Sequence, residues 1–272
     1  MFATVLIPAH SNGPTLRVAA ESALAQTHSD LELLIVGDGI APGGREAARE
    51  LTRLDERVSF EDNPKGERHG EEHRHRALEQ ARGDVVFYLS DDDLWLPWHI
   101  EELLPVLDHA DFAGGTVVRV RPGGVLDPLA HDLSLPRARQ LFLDGRNRLP
   151  LSGAAHTLDA YRRRTRGWHP APTNTPTDLY FFNGFLSDPA MTAASSKRPS
   201  ALSFPAGKER REMTAKERVA ELESWLTRTR DQSDLAQLEA EIEAAWRRVA
   251  MEAGMRAQRL KTRLERRGGS GG

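Results

Sequence analysis

Cysteine is absent from the 272 residues, which excludes disulfides, thiolate metal sites and cysteine nucleophiles together. No apolar run approaches the roughly 20 residues that span a bilayer. Residues 1–9 lack a basic n-region and the chain turns polar at His10, so no signal peptide is expected there. A strong charge of one sign is missing too. The net charge of −3 makes no overall case for nucleic-acid binding. Several nucleotide and hydrolase signatures are also lacking. There is no Gly-x-x-x-x-Gly-Lys loop, no Gly-x-Gly-x-x-Gly turn and no Gly-x-Ser-x-Gly elbow, which argues against P-loop, dinucleotide and serine-hydrolase sites.

What is present fits a soluble globular chain of one large domain, or one domain with an appendage: 39% hydrophobic and 28% charged residues. Apolar runs at 3–8, 31–36, 58–60 and 85–89 alternate with helical spacings at 15–26, 44–54 and 72–81. That rhythm predicts an α/β fold with a mainly parallel sheet flanked by helices. In such sheets ligands sit beyond the carboxyl ends of the strands, where His10, Asp38 and Asp91-Asp92-Asp93 all fall. A further strand is expected near 115–120 and a loop over the prolines of 168–177. A linker is expected over 191–211, a helical extension over 212–267 and a flexible Gly/Ser tail over 268–272. Thr214 and Glu217 fit a capping box, with a break near 231–234. Leu235, Leu238, Ile242, Ala245 and Val249 then recur at heptad spacing.

Three adjacent carboxylates after an apolar strand repel one another unless a cation sits among them. A hard divalent ion shared with phosphate answers that need. A helix N-terminus, where aspartate caps the chain, is the alternative. Asp178, just past the proline-rich loop, is equally well placed for an N-cap. His69, His73 and His75 are interspersed with Arg68, Arg74 and Arg76, which would repel zinc, so this stretch reads as a solvated charged face.

Val5-Leu6-Ile7-Pro8-Ala9-His10, Ala20 to Thr27, Leu33 to Gly39, Arg74 to Leu78, Ala81 to Asp84 and Tyr88 to Trp95, taken in order, resemble family 2 glycosyltransferases. The resemblance covers about 2–190 and implies a GT-A fold over 1–190. It also implies transfer of a sugar, with inversion, from a nucleoside diphosphate sugar (UDP-sugar as the first guess) to an acceptor hydroxyl. The cofactor implied is Mn2+ or Mg2+. Pro8, Ala9, His10 and Asp38 would border the base and Arg74 the diphosphate. Asp91 or Asp92 would reach the ribose, Asp93 with Asp91 would ligate the metal, and Asp178 would be the general base. His156, Trp168 and His169 are candidates on the acceptor side, though core roles suit them as well. Gly37 and Ser90 stand where many relatives carry aspartate, and Ile40 where serine is common; these departures bear on base and donor specificity more than on the reaction.

The partners implied are a nucleotide sugar and a carbohydrate or glycolipid acceptor, in cell-surface polysaccharide or glycolipid synthesis. The expected location is cytoplasmic, or peripheral at the inner face of the membrane. The runner-up is a non-catalytic nucleotide-sugar-binding or scaffold protein acting through its helical tail. From Trp246 to Arg267 eight basic residues face two glutamates. Packing on the catalytic domain, self-association and adhesion to anionic lipid are all open to such a tail.

Overall fold

The structure, a computed structural model, describes all residues but 11–12, 130, 147 and 269–272, and the backbone alone at 253–254 and 256–268. Strands β1 (Ala3–Ala9), β2 (Leu31–Asp38), β3 (Val58–Asn63) and β4 (Val85–Tyr88) form a parallel half-sheet in the order β3-β2-β1-β4. Their apolar runs have a direct cause. Parallel strands covered on both faces must be apolar at successive positions, and the pleat sends Val5 and Ile7 into one core and Leu6 into the other. Helices α1 (Gly13–Leu24), α2 (Pro42–Leu54) and α4 (His99–Leu107) cover the first face. Helices α3 (Glu71–Glu79), α5 (Pro136–Leu143), α6 (Leu158–Arg163) and α7 (Thr177–Leu186) cover the second.

Beyond β4 the sheet is mixed. It continues through β8 (Ala154–Thr157), β6 (Phe112–Arg121), β9 (Ala193–Ser203) and the short β5 (Leu94–Trp95), and β7 (Val125–Leu129) pairs with β6. β8 runs antiparallel to both β4 and β6. The expectation of a mainly parallel sheet therefore holds for the first four strands only. The expected linker over 191–211 is overturned: β9 lies inside the sheet, parallel to β6 and antiparallel to β5. Its Ser195-Ser196-Lys197-Arg198-Pro199 stretch hides it, because proline and charge usually mark a loop. The register of β6 on β9 shifts between Gly114 and Val117, opposite Ser195 to Ala201; at such an irregularity a residue without an N–H is tolerated.

Helices α8 (Lys208–Glu212), α9 (Ala215–Arg230) and α10 (Gln232–Gly268) follow. The Thr214–Glu217 capping box is formed and α9 ends at Arg230, next to the expected break. Leu222, Leu226, Leu238, Ile242 and Ala245 are buried with Val18, Leu94, Leu96, Leu202 and Phe204. Leu238, Ile242 and Ala245 of the tail's apolar stripe are thus covered by the protein's own chain, with Leu235 half-buried beside them. The basic end at Arg256, Arg259, Lys261, Arg263, Arg266 and Arg267 lies outside the described side chains. No described helix is long and apolar enough to cross a membrane. Leu238 is fully buried, so Leu238→Ala should destabilise the protein by about 2–5 kcal/mol. A denaturant midpoint that does not move would show that α10 is not packed as seen.

Candidate active site

The carboxyl ends of β1, β2 and β4 reach the same edge, because Ala9 pairs with Gly37 and Leu6 with Tyr88. There a cavity of about 340 Å3 opens, lined by Pro8, Ala9, His10, Asp38, Ser90, Asp91 and Asp92. His69, Arg74, Thr177 and Asp178, from the starts of α3 and α7 and the loop before α3, line it too. Most of the residues singled out in the sequence therefore converge. His10 is exposed and Asp38 buried. Burial opposes the charge on Asp38, but the Gly66 N–H donates to it and the Lys65 ammonium pairs with it, holding the carboxyl below its ordinary range. Gly70, at φ 72°, packs against this carboxylate; a Cβ there would stand 2.8 Å from the Asp38 Cγ, so the position demands glycine on two counts.

Asp91-Asp92-Asp93 divides. The Asp93 N–H bonds to the Ser90 carbonyl, 3.2 Å away, closing a turn that presents Asp91 and Asp92 to the cavity and turns Asp93 inward. Asp93 accepts from the Ser152 hydroxyl at 2.6 Å and from the Phe204 N–H at 2.8 Å, and it does not line the cavity. Asp93, expected as a metal ligand, is thus turned away from the cavity and anchors the turn, while Asp91 and Asp92 face it. Burial and the Asp92 charge push Asp93 up to about 7. Burial, Asp92 and Asp93 push Asp91 up to about 8, and the Asp91 Oδ2 is buried without a hydrogen-bond partner. Among the described residues Arg218 on α9 comes within 3.6 Å of the Asp92 Oδ2. Glu221 holds Arg218 in place and pairs in turn with the buried Arg210. Nothing local in the sequence signalled Arg218.

A divalent ion fits this chemistry. Three crowded carboxylates and one guanidinium leave a negative surplus and an orphaned oxygen, and hard oxygen ligands suit Mg2+ or Mn2+. Among the described residues no three acids or histidines converge as a complete metal site. Phosphate oxygens of a bound ligand would have to supply the remaining bonds.

Arg74 is 7% exposed. One Nη donates to the His69 carbonyl at 2.9 Å and the guanidinium lies 4.7 Å over Trp168. Its Nε and other Nη have no hydrogen-bond partner. A nearly buried guanidinium with free donors is an anion receptor. That free Nη is 3.9 Å from Asp178 Oδ1. Asp178 sits in the first turn of α7, whose N-cap is Pro176, so it is not spent as a cap. The surrounding protein raises its proton affinity; Arg74 and His69 oppose the rise and Glu71 adds to it. Glu71, buried, accepts from the His69 N–H and the Thr177 hydroxyl at 2.8 and 3.0 Å, and so locks the start of α3 to the start of α7. A carboxylate placed this way can take a proton from a hydroxyl beside it.

The acceptor-side candidates fall elsewhere. His156 is fully buried, its Nε2 2.7 Å from the Tyr88 hydroxyl and its Nδ1 2.9 Å from the Thr157 carbonyl. Trp168 is core, stacked 3.7 Å from Phe181 and donating to the Tyr88 hydroxyl at 3.0 Å. Both are buried among core residues, His156 because the pairing of β8 with β4 carries it inside. His169 is half-buried beside Tyr180, outside the cavity. His69 is exposed and lines the cavity, whereas His73 is nearly buried, with Nε2 3.0 Å from the Pro64 carbonyl and 3.8 Å from Asp38.

The sequence profile described as glycosyl transferase family 2 matches residues 4–166, more than half of the chain. The chain belongs to glycosyl transferase family 2. An uncharacterised glycosyltransferase of Nostoc sp. is 32% identical over 113 residues, 41% of this chain and 34% of its own length. The chain thus matches only about a third of that relative. In fold the glycosyltransferase domain resembles TarS of Staphylococcus aureus (TM-score 0.60, 15% identity, 89% of this chain and 70% of that one). It also resembles the mannosyltransferase PcManGT of Pyrobaculum calidifontis, solved with GDP-Man and Mn2+ (0.52, 15%, 97% and 80%). Likenesses at that identity establish the GT-A fold of this chain and leave its substrates to its own residues.

His99 and His156 bear on stability rather than on the glycosyltransferase site. Burial lowers both to about 3, while the unfolded chain protonates near 6.5. The unfolded state therefore binds more protons below pH 6.5. Stability should fall by about 1.4 kcal/mol per pH unit per histidine from there down to about pH 3. Thermal melts at pH 7 and 5 check this, and a flat profile in that window would contradict it.

Proposed function

We propose that this glycosyltransferase moves a sugar from a nucleoside diphosphate sugar, UDP-linked as the first choice, to an acceptor hydroxyl in a divalent-cation-dependent reaction with inversion. The observation that carries the proposal is one cavity lined by the paired carboxylates Asp91 and Asp92 and by Arg74 with Asp178. Mn2+ or Mg2+, when bound, would lower the cost of charge on the leaving diphosphate. Asp91 and Asp92 would hold it, and Arg74 would offer its free donors to the same phosphates. Asp38 and the Pro8–His10 backbone would border the nucleotide. Asp178 would orient the acceptor hydroxyl and accept its proton as the glycosidic bond forms. A single displacement needs no second carboxylate as nucleophile. The acceptor we place in cell-surface polysaccharide or glycolipid synthesis.

TarS has been solved with UDP-GlcNAc and PcManGT with GDP-Man, so the panel that tests the proposal must span nucleotides. Release of nucleoside diphosphate would be followed for UDP- and GDP-sugars with manganese or with EDTA. Turnover of one donor with manganese alone is the result expected. No turnover and no binding of any nucleotide would remove the proposal and favour a scaffold.

A further inference from the structure

The end of α6 and the segment after it carry charge that the catalytic cavity does not use. Arg162, Arg163, Arg164 and Arg166 lead into Trp168-His169, and two adjoining clefts of about 740 and 420 Å3 flank the segment, against α3 and α7. Arg164, Arg166 and His169 line both. Each cleft has a single acid on its wall, Glu79 in one and Asp188 in the other.

Arg164 is the telling residue. Its guanidinium lies 5.0 Å over Phe181 and 4.2 Å over Phe185. It presses on α7 so closely that a Cβ at Gly184 would stand within 1.8 Å of its Nη2. The fold has therefore built a seat for this cation. No ion pair within 4.0 Å holds it among the described residues, and its Nη1 is buried without a hydrogen-bond partner. Arg166 beside it is exposed and likewise has no ion pair among the described residues. By contrast Arg163 pairs with both Asp111 and Asp159. Seating a guanidinium in aromatic surroundings without an anion is costly, and an arriving anion would relieve that cost.

The place matters as much as the charge. His169 Nε2 is 3.3 Å from the Tyr180 hydroxyl, and Tyr180 lies two residues after Asp178 on α7. Gly184, the seat of Arg164, is six residues after Asp178, about 9 Å along the helix. We propose that this cleft binds a phosphate group of the acceptor, so that Arg164, Arg166 and His169 hold the acceptor by its phosphate while its hydroxyl reaches Asp178. Phosphate suits the site because planar guanidinium forks recognise its oxygens in pairs. The inference rests on Asp178 marking the acceptor side, as proposed above.

The test is binding, in EDTA, of two probes: soluble glycerol 3-phosphate and dihexanoyl phosphatidic acid kept below its micelle concentration. The full chain would be compared with Arg166→Gln, Arg164→Gln and Arg74→Gln by NMR titration. Arg166→Gln and Arg164→Gln should each weaken binding by about tenfold, the size of one lost charge-assisted contact, with Arg74→Gln unchanged. Equal effects on both probes point to the phosphate alone; a preference for the lipid points to a headgroup. Arg166 is exposed, so its variant keeps the test valid even if Arg164→Gln misfolds. Binding that responds to Arg74→Gln only, or to none of the three, overturns the inference. UDP with manganese, titrated in parallel, reports separately on the donor site: wild type failing to bind it counts against the proposed reaction and not against the anion cleft.

Discussion

Asp178→Asn is expected to lower turnover by something like the 10²–10⁴ that general-base catalysis supplies, while nucleotide affinity stays within a few-fold of wild type. The asymmetry follows from placement. Asp178 lines the cavity with Arg74, His69, Asp91 and Asp92, and among the described residues its one ion pair within 4.0 Å is with Arg74, at 3.9 Å. The carboxylate is not capping its helix, so asparagine removes a base without removing a structural bond. Freeing Arg74 from a nearby carboxylate could only favour a diphosphate. Single-turnover measurements with saturating donor separate chemistry from binding. An Asn variant within threefold of wild type would take the role away from Asp178. A variant that loses nucleotide binding in proportion to turnover would place this residue on the donor side.

How much of this was legible depends on the range of the interactions. The first ninety residues read plainly, because strands buried on both faces leave uninterrupted apolar runs and their helices keep a clean period. β9 did not. Lys197 and Arg198 reach solvent, and Ser200 is buried only because its hydroxyl meets His99 Nδ1, 2.9 Å away and about a hundred residues earlier. The Asp triplet announced itself as a group. Which acids face the cavity was set by a turn closing on Ser90 and by Ser152 and Phe204, far along the chain. His156 looked like a polar group on the acceptor side, yet its pairing opposite Val86 buries it. Arg218 was invisible for the same reason: its meaning comes from Asp92, 126 positions away.

Asp92→Asn and Asp93→Asn should part company, and the contrast is the sharpest check on the division of the triplet. Asp92 opens on the cavity and is held by Arg218, so its replacement takes a ligand from the cation. Metal-dependent binding of UDP or GDP, measured calorimetrically in manganese against EDTA, should drop by at least the 10–100-fold that changes around a metal ligand produce. The melting temperature should change little, since burial disfavours this carboxylate while Arg218 and Arg210 favour it, and the two effects oppose each other. Asp93 has both oxygens engaged inside the protein. One of those bonds must be lost or reversed by an amide, and a buried polar group left unpaired costs about 1–3 kcal/mol. Asp93→Asn should therefore lower the melting temperature and leave manganese-dependent affinity nearly unchanged in the protein that remains folded. If Asp93→Asn abolishes the response to manganese while Asp92→Asn spares it, the cation lies on the inner acid, and the turn at Ser90 must open when the nucleotide binds.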